Sequence, residues 1–553
     1  MRTVRLSWSI AVLLAIVLVA CGPAEQQTAP AGGAAQSDGK VDITSQGTPK
    51  AGGILRQAMF AVAPSWEVIS EGTGGTHMPV APVYSGLVQY DPLDHSGIPN
   101  KIIPDLAEKW DISQDGMVYT FHLRSGIKWH DGKEFTPEDV KFSFDRIINP
   151  PEKTPSLRQG WYKGTIKSIE APDKNTVKIT LEKPNAAFLN LVATSYTPML
   201  PKHVLEGKTR IGDKSLLIGT GPFKMVEADR NIGYKLVKNQ DYWDKPKPYL
   251  DGLEYTVVIE ETGRVAAFRT GQTDVAINAS ISVPQQKVVE RELGDKIQVN
   301  TRQGIGFTSL VFNTTKKPFN DAKVRKAVAL AIDDPGLNKI AFDGAGCAGG
   351  PLAPGGSWGF SCEEIAKRPG YRTPTPEDIA EAKSLLAEAG YANGFNTQVQ
   401  NGYSANIDRA NELMIEMLKP IGINASIRSL ERTAFYASVD NKDFEITGMG
   451  NVGAIDDPND YIATWYVCNA GRNYQGFCDK TADELYEKQA GELNPAKRKE
   501  IVNQLQERII DQMPIQILNW SAGWDAWYKY VKGINPQVSY MSHLKRDTTW
   551  LDK

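Results

Sequence analysis

The chain is poor in the residues and motifs on which many enzymes depend. It has six histidines among 553 residues, and no two of them form the HxxxH or HExxH pairs that hold zinc. No phosphate-binding loop ends in Lys-Ser or Lys-Thr, and we expect no nucleophile elbow. The sequence therefore predicts a protein that is not an enzyme and has no cofactor and no metal site.

An excess of charge of one sign is also lacking, and long apolar runs are scarce. The 62 basic and 65 acidic residues give a formal net charge of -3, which provides no reason to expect nucleic acid as a partner. A run from Ile10 to Ala20 is followed by no second long apolar run. Any attachment to a membrane is therefore expected to depend on the N-terminus.

The N-terminus has the layout of an export signal. Arg2 and Arg5 precede the apolar run, which is too short to cross a bilayer comfortably, so residues 1–20 are predicted to be a secretory signal peptide. The run ends in the letters LVAC, which resemble the lipobox of bacterial lipoproteins. The resemblance implies that Cys21 is lipidated and anchors an extracytoplasmic protein to the cell membrane. An ordinary signal peptide or a short anchor is the alternative.

The segment at residues 21–51 begins with that cysteine and predicts a tether. It consists largely of Pro, Ala, Gly, Gln, Ser and Thr, without apolar periodicity. Such a segment cannot bury enough apolar surface to fold, so we expect it to be disordered.

Four further cysteines follow, namely Cys347, Cys362, Cys468 and Cys478. An even number in an exported chain suggests two disulfides. Short loops favour the pairs Cys347–Cys362 and Cys468–Cys478. A metal site is the alternative, but the spacing is not of the CxxC type.

Strand-like and helix-like segments alternate along the rest of the chain, which predicts a mixed α/β protein. Thr136 and Thr375 are each followed by a proline and two acids, the pattern of a helix N-terminus. Residues 118–123 and 176–181 alternate apolar and polar side chains as half-buried strands do. The length exceeds that of one compact core, so we expect two or three lobes.

The segment from Pro104 to Ile147 resembles the signature of the extracellular solute-binding proteins of family 5, the peptide, nickel and oligosaccharide receptors of ABC importers. Further similar motifs follow in the same order, including GTGPF at residues 219–223 and FNT at residues 312–314. Several motifs in one order are more specific than any one of them.

The resemblance implies a two-lobed α/β fold of the periplasmic-binding-protein type, with a cleft between the lobes and an extra subdomain on the first lobe. We expect the first lobe at residues 52–303, the second at 304–514 and a return to the first at 515–553. Hinge closure would capture a small solute and present it to an ABC permease in the membrane. We expect a monomer.

The ligand is harder to predict. Peptide-binding members carry an aspartate three residues before the acid of an acid-proline pair, and this aspartate holds the ammonium of the ligand. The pair here is Asp457-Pro458, and the corresponding position is Ala454, although Asp456 could substitute. An uncharged, elongated oligopeptide is therefore expected first and an oligosaccharide second, with a secreted hydrolase or a surface adhesin as further alternatives. Nickel has no support from the histidines.

Aromatic and polar residues near the expected cleft provide the candidate ligand contacts. Tryptophan and tyrosine rings bury apolar surface of peptides and sugars at low entropic cost. The candidates are Thr73, His77, Gly450, Asn451, Tyr474, Trp520 and Trp524.

Overall fold

The computed structural model describes residues 47–93, 101–277, 281–534 and 544–553. The predicted signal peptide, Cys21 and most of the predicted tether lie outside these ranges. Among the described residues, no helix is long and apolar enough to span a membrane.

Strands and helices alternate through the described ranges. The strands are β1 (Ile54–Met59), β2 (Val88–Tyr90), β3 (Ile102–Pro104), β4 (Ala107–Ile112), β5 (Val118–Leu123), β6 (Ile166–Asp173), β7 (Thr176–Leu181), β8 (Phe223–Asp229), β9 (Gly233–Lys238), β10 (Gly252–Val257), β11 (Val275–Ala276), β12 (Ile297–Phe312), β13 (Cys347–Gly349), β14 (Phe395–Asn401), β15 (Ile423–Ser429), β16 (Ile446–Val452), β17 (Ile515–Tyr528), β18 (Val531–Lys532) and β19 (Trp550–Leu551). The α-helices are α1 (Gly74–Val80), α2 (Pro137–Ile148), α3 (Gln159–Tyr162), α4 (Phe188–Val192), α5 (Lys202–Leu205), α6 (Glu261–Arg269), α7 (Val283–Leu293), α8 (Ala322–Ala331), α9 (Asp334–Ala341), α10 (Cys362–Ile365), α11 (Pro376–Glu388), α12 (Ala405–Leu418), α13 (Arg432–Asp440), α14 (Pro458–Trp465), α15 (Lys480–Gly491) and α16 (Pro495–Gln512).

Local sequence signals place several of these elements. The backbone N–H of Thr136 donates to Asp139 Oδ2 at 2.9 Å, and that of Thr375 donates to Asp378 Oδ2 at 2.8 Å. Each acid thus closes a capping box at the start of α2 or α11. The two predicted strands are β5 and β7, which pair antiparallel in a four-stranded sheet of order β4-β5-β7-β6. These local predictions are confirmed.

Two long antiparallel strands, β12 and β17, run through the middle of the largest sheet. Its order is β15-β14-β16-β12-β17-β11-β1-β10-β9-β8, and β13 also pairs with β17. The second half of β12 pairs with β16, whereas the end of β17 pairs with β11. The register of β12 on β17 shifts between Gln303 and Phe307, near one of the expected crossings. The predicted domain boundaries themselves remain predictions.

Separate hydrophobic cores underlie the two ends of this sheet. We call the part around the largest core, built mainly from residues 55–277, the first lobe. We call the part around two further cores, built from residues 305–520, the second lobe. Ala454 and Ile455, which follow β16, nevertheless pack into the core of the first lobe. The loop after β16 therefore brings the two lobes into contact.

Two disulfides stabilise segments of the second lobe. Cys347 at the start of β13 is bonded to Cys362 at the start of α10, with a Cα–Cα distance of 5.9 Å. Cys468 is bonded to Cys478 across the loop between α14 and α15, with a Cα–Cα distance of 4.5 Å. These are the pairs that the short loops favour.

Candidate functional site

A cavity of about 1090 Å³ lies between the two lobes. Thr73, Arg158 and Trp161 line it from the first lobe, and Asn451 and Asp460 line it from the second. Its volume lies just above the usual range of about 300–1,000 Å³ for ligand pockets. The cavity is large enough for a solute that contacts both lobes at once.

The central strands form one wall of the cavity, and their side-chain alternation decides which residues reach it. Asn519 and Ser521 of β17 line the cavity, so Trp520 between them points to the opposite face of the sheet. Gly450 of β16 also lines it, and a Cβ atom there would lie 3.0 Å from the ring of Tyr403. The hydroxyl of Tyr403 donates to the carbonyl oxygen of Gly450 at 2.8 Å. The glycine therefore makes room for a tyrosine in the wall.

Aromatic side chains cover much of the remaining wall. Trp161 and Tyr196 of the first lobe contact each other edge to face, with ring centroids 6.1 Å apart. Tyr403 and Tyr436 of the second lobe do the same at 6.2 Å. Such rings offer apolar area with little loss of side-chain entropy on binding.

Two arginines line the cavity without a carboxylate partner within ion-pair distance among the described residues. The Cζ atom of Arg158 lies 4.0 Å from the ring centroid of Tyr196 and 4.9 Å from that of Trp161. Its Nε atom is buried and has no hydrogen-bond partner among the described residues. Arg472 is half-buried and belongs to the loop that the Cys468–Cys478 disulfide closes.

One buried carboxylate, that of Asp460, also lines the cavity. Asp460 lies in the first turn of α14, where its Oδ2 accepts the backbone N–H groups of Ala454 and, at 3.2 Å, of Ile455. Burial raises the pKa of Asp460, and the positive charge of Arg158 and the two N–H donors oppose that rise. The carboxylate is thus held by the backbone of the loop that contains Ala454.

These three charges act on a common neighbour, the phenol of Tyr196. Burial raises the pKa of Tyr196, Arg158 and Arg472 lower it, and Asp460 raises it. The two guanidinium groups and the carboxylate therefore contribute to one electrostatic field inside the cavity. The sequence-based expectation of an uncharged ligand does not agree with this wall.

Asp456 and Asp457 lie beside the cavity but do not line it. Asp456 Oδ2 accepts the backbone N–H of Ser357 at 2.7 Å, and burial raises its pKa to about 6. Asp457 caps α14 and forms a buried two-point pair with Arg498 at 2.7 and 2.9 Å. The idea that Asp456 substitutes for the missing aspartate at position 454 is therefore wrong, because its carboxylate faces the loop around Ser357.

Four of the seven predicted ligand contacts line the cavity, namely Thr73, Gly450, Asn451 and Tyr474. The other three do not. His77 is 0% exposed, with Nε2 2.9 Å from the carbonyl oxygen of Glu71, and burial lowers its pKa to about 4. It is a core residue of α1.

The two tryptophans predicted to contact the ligand, Trp520 and Trp524, do not line the cavity either. Trp520 is 0% exposed, packs against Phe307 at 4.9 Å and donates from Nε1 to the carbonyl oxygen of Gly350 at 3.1 Å. Trp524 lies further along β17, where its Nε1 donates to Glu290 Oε1 of α7 at 2.7 Å. The neighbouring strand residues point into the cavity instead of Trp520, and Trp524 is engaged with a helix outside it.

Sequence reasoning missed the charged residues of the cavity and its first-lobe rings. Arg158 and Trp161 lie in and beside the short helix α3, which carries no motif. Asp460 follows the acid-proline pair by two residues, in the first helical turn, and was overlooked beside Asp456. A usable signal existed only for Arg472, because it shares a predicted disulfide loop with Tyr474.

One string in the sequence bears on the expectation that the chain has no nucleophile elbow. Residues 355–359 read GGSWG and fit the GxSxG pattern of such an elbow. The segment lies in an irregular loop between β13 and α10, whereas a nucleophile elbow joins a strand directly to a helix. The backbone of Ser357 bonds to Asp456 and Lys499. The string does not form an elbow here.

Comparisons with known proteins agree with this architecture. The chain is 31% identical over 481 residues to the dipeptide-binding protein of Escherichia coli strain K12, covering 82% of this chain and 86% of that protein. It is 30% identical over 459 residues to heme-binding protein A of Haemophilus influenzae, covering 78% and 81%. These relatives are named as binding proteins, which fits the expectation that the chain is not an enzyme.

A solved structure extends the likeness to the fold. The periplasmic binding protein DppA of Helicobacter pylori, in complex with the peptide STSA, superposes with a TM-score of 0.76 at 27% identity, covering 91% of this chain and 99% of that one. The predicted two-lobed α/β fold is thereby confirmed. The model of the family described as "Bacterial extracellular solute-binding proteins, family 5 Middle" matches residues 101–473. Since that match spans more than half of the sequence and the similarity continues beyond it, the chain belongs to the bacterial extracellular solute-binding proteins of family 5.

Proposed function

We propose that this protein is the extracytoplasmic receptor of an ABC importer, which captures oligopeptide-like solutes between its lobes and delivers them to a membrane permease. The observation that carries the proposal is the cavity of about 1090 Å³ with walls from both lobes. The relatives named for dipeptide binding and the similar structure with a bound peptide support the peptide class.

The wall chemistry favours a peptide over an oligosaccharide. Peptides carry charged ends that suit the guanidinium groups of Arg158 and Arg472 and the carboxylate of Asp460. Neutral sugars offer no ionic partner, and Trp520, one of the two tryptophans predicted to contact the ligand, is buried in the core. The oligosaccharide alternative therefore loses its main support.

Capture would depend on closure of one lobe on the other. In the closed arrangement Asn459 Nδ2 of the second lobe donates to Asn185 Oδ1 of the first at 2.9 Å, and the N–H of Ala186 donates to the carbonyl oxygen of Ala490 at 2.9 Å. Opening would break these bonds and expose the cavity. The strands β12 and β17, which extend from one end of the sheet to the other, are the candidate hinge.

Attachment to the membrane would come from Cys21 after removal of residues 1–20. Several acyl chains on one cysteine anchor a protein firmly, whereas one chain does not. Mass spectrometry of the protein purified from membranes should find the acyl modification on the N-terminal peptide. A Cys21→Ser variant should be released in soluble form, and retention of that variant on the membrane would contradict the lipid anchor.

Thermal unfolding tests the receptor function. The full chain, purified in mild detergent, would be heated with pools of di- to hexapeptides and with panels of oligosaccharides. A ligand at 100 times its Kd stabilises the folded state by about 2.7 kcal/mol, which gives a shift of at least about a degree. A shift with peptides is expected, and a shift with glycans alone would overturn the peptide proposal. Uptake of a labelled peptide should be lost in cells that lack the protein.

A further inference from the structure

The charged residues of the cavity do not balance. Among the described residues, its wall contains two guanidinium groups, those of Arg158 and Arg472, and one carboxylate, that of Asp460. Arginine side chains are positively charged in proteins, so the wall contains two positive charges. Even with Asp460 fully ionised, the wall therefore carries one net positive charge.

No protein carboxylate within ion-pair distance offsets either arginine in the described structure. Asp460 Oδ2 is occupied by two backbone N–H groups, and Asp456 and Asp457, which lie beside the cavity, are bonded elsewhere. Arg158 packs instead against the rings of Trp161 and Tyr196, and its Nε lacks a hydrogen-bond partner among the described residues. Both side chains are half-buried, and a charge that is partly removed from water without a partner costs free energy, so these groups favour an anionic solute.

The two arginines also lie on opposite lobes. Arg158 precedes α3 in the first lobe, and Arg472 belongs to the disulfide loop of the second. Burial has the largest influence on the pKa of Tyr196 and raises it, whereas both arginines lower it. The positive field of the cavity is therefore assembled from both lobes.

We propose that the cavity selects peptide-like solutes with one more carboxylate than ammonium groups, that is, peptides with an acidic side chain. This inference rests on the proposed peptide-receptor function and narrows its substrate class. A free peptide has one ammonium group, which Asp460 can bind, and one terminal carboxylate, which one of the two arginines can bind. An acidic side chain supplies a second carboxylate for the other arginine.

A matched peptide series tests the selection. Binding of Ala-Glu-Ala, Ala-Gln-Ala and Ala-Lys-Ala to the full chain in detergent would be measured by calorimetry. Because Glu and Gln have nearly the same shape, their affinity ratio isolates the charge. One charge-assisted hydrogen bond predicts that Ala-Glu-Ala binds about tenfold more tightly than Ala-Gln-Ala, with Ala-Lys-Ala the weakest.

Four arginine variants locate the source of the preference. Arg158→Gln and Arg472→Gln should each reduce the Glu-to-Gln affinity ratio several-fold, whereas Arg432→Gln should leave it unchanged. Arg432 is a matched control because it stacks on Tyr403 and Tyr436 near the cavity without lining it. Thermal unfolding without peptide shows which variants are folded, and Arg158→Lys, which keeps the charge, should retain much of the preference.

The outcomes separate this inference from the function on which it rests. If the protein binds none of the peptides and none of the mixed pools, the receptor proposal itself fails. If it binds peptides but Ala-Gln-Ala as tightly as Ala-Glu-Ala, the receptor proposal stands and the charge selection is overturned. An acidic preference that survives both Arg158→Gln and Arg472→Gln would equally overturn the assignment to these residues.

Discussion

Removal of the Cys468–Cys478 disulfide should affect stability and ligand affinity together. The bond closes a loop with a sequence separation of 10 residues, and that loop carries Arg472 and Tyr474 into the cavity wall. Chain-entropy arguments give about 2.7 kcal/mol of stabilisation for a loop of this length. We expect the Cys468→Ser/Cys478→Ser variant to lose up to this amount of its free energy of unfolding.

The effect on affinity should be smaller, because other contacts also hold the loop. Asn473 Nδ2 donates to the carbonyl oxygen of Val467 at 3.0 Å, and Lys442 Nζ donates to that of Asn473 at 3.0 Å. Without the disulfide these bonds still define the loop, although less rigidly. We therefore expect a loss of about three- to tenfold in peptide affinity, from the added cost of ordering Arg472 on binding.

The second disulfide provides a matched control. Cys347 and Cys362 close a loop with a separation of 15 residues, for which the same argument gives about 3 kcal/mol. No residue of that loop lines the cavity. Urea unfolding and calorimetry on both double variants should show similar losses of stability and a loss of affinity only for the Cys468–Cys478 pair. Equal losses of affinity in the two variants would refute the reasoning.

Three other changes test individual contacts. Arg498→Gln should lower the free energy of unfolding by about 3–5 kcal/mol, because it leaves the buried carboxylate of Asp457 without its partner. Lys323→Gln, at an exposed ion pair, is the control and should cost at most about 1 kcal/mol in the same urea titration. Trp520→Phe should lower stability but leave peptide affinity unchanged, and a large loss of affinity in a folded variant would show that this ring contacts the ligand after all. Burial raises the pKa of Asp456 to about 6, so the folded state binds more protons than the unfolded state at pH values from about 4 to 6. The free energy of unfolding should therefore fall as the pH rises through this window. The Asp456→Asn variant should flatten that part of the pH profile. An unchanged slope in the asparagine variant would contradict the assignment.

The local structure could be predicted well from sequence because its causes are local. The acids at 139 and 378 cap α2 and α11 through backbone bonds within four residues, and the alternation in β5 and β7 reflects one buried face. Motif order then gave the family and hence the two lobes. None of these inferences required knowledge of which distant segments meet.

The cavity, in contrast, depends on contacts between distant segments and on side-chain direction. Arg158 and Asp460 are separated by some 300 positions and line one cavity from opposite lobes, so no spacing in the sequence indicates their proximity. Trp520 is predicted to bind ligand from its aromatic side chain and its place near the expected cleft, neither of which indicates the face of the strand on which it lies. A shift of one residue along β17 reverses the face, and the register that places Asn519 and Ser521 on the cavity side is fixed by pairing with β12.

The charges that we propose to select the solute also bear on the proposed closure of the two lobes. The bond between Asn185 and Asn459, and the packing of Ala454 and Ile455 into the core of the first lobe, favour the closed arrangement. In the proposed closure, the half-buried Arg158 and Arg472 come to one cavity from opposite lobes, and their unpaired positive charges oppose it. A solute whose only anionic group pairs with Arg472 of the second lobe removes one part of this cost and leaves Arg158 without a partner. A solute with anionic groups for both arginines lowers the cost on both lobes, so we expect such a solute to convert more of its binding energy into closure than a neutral solute does.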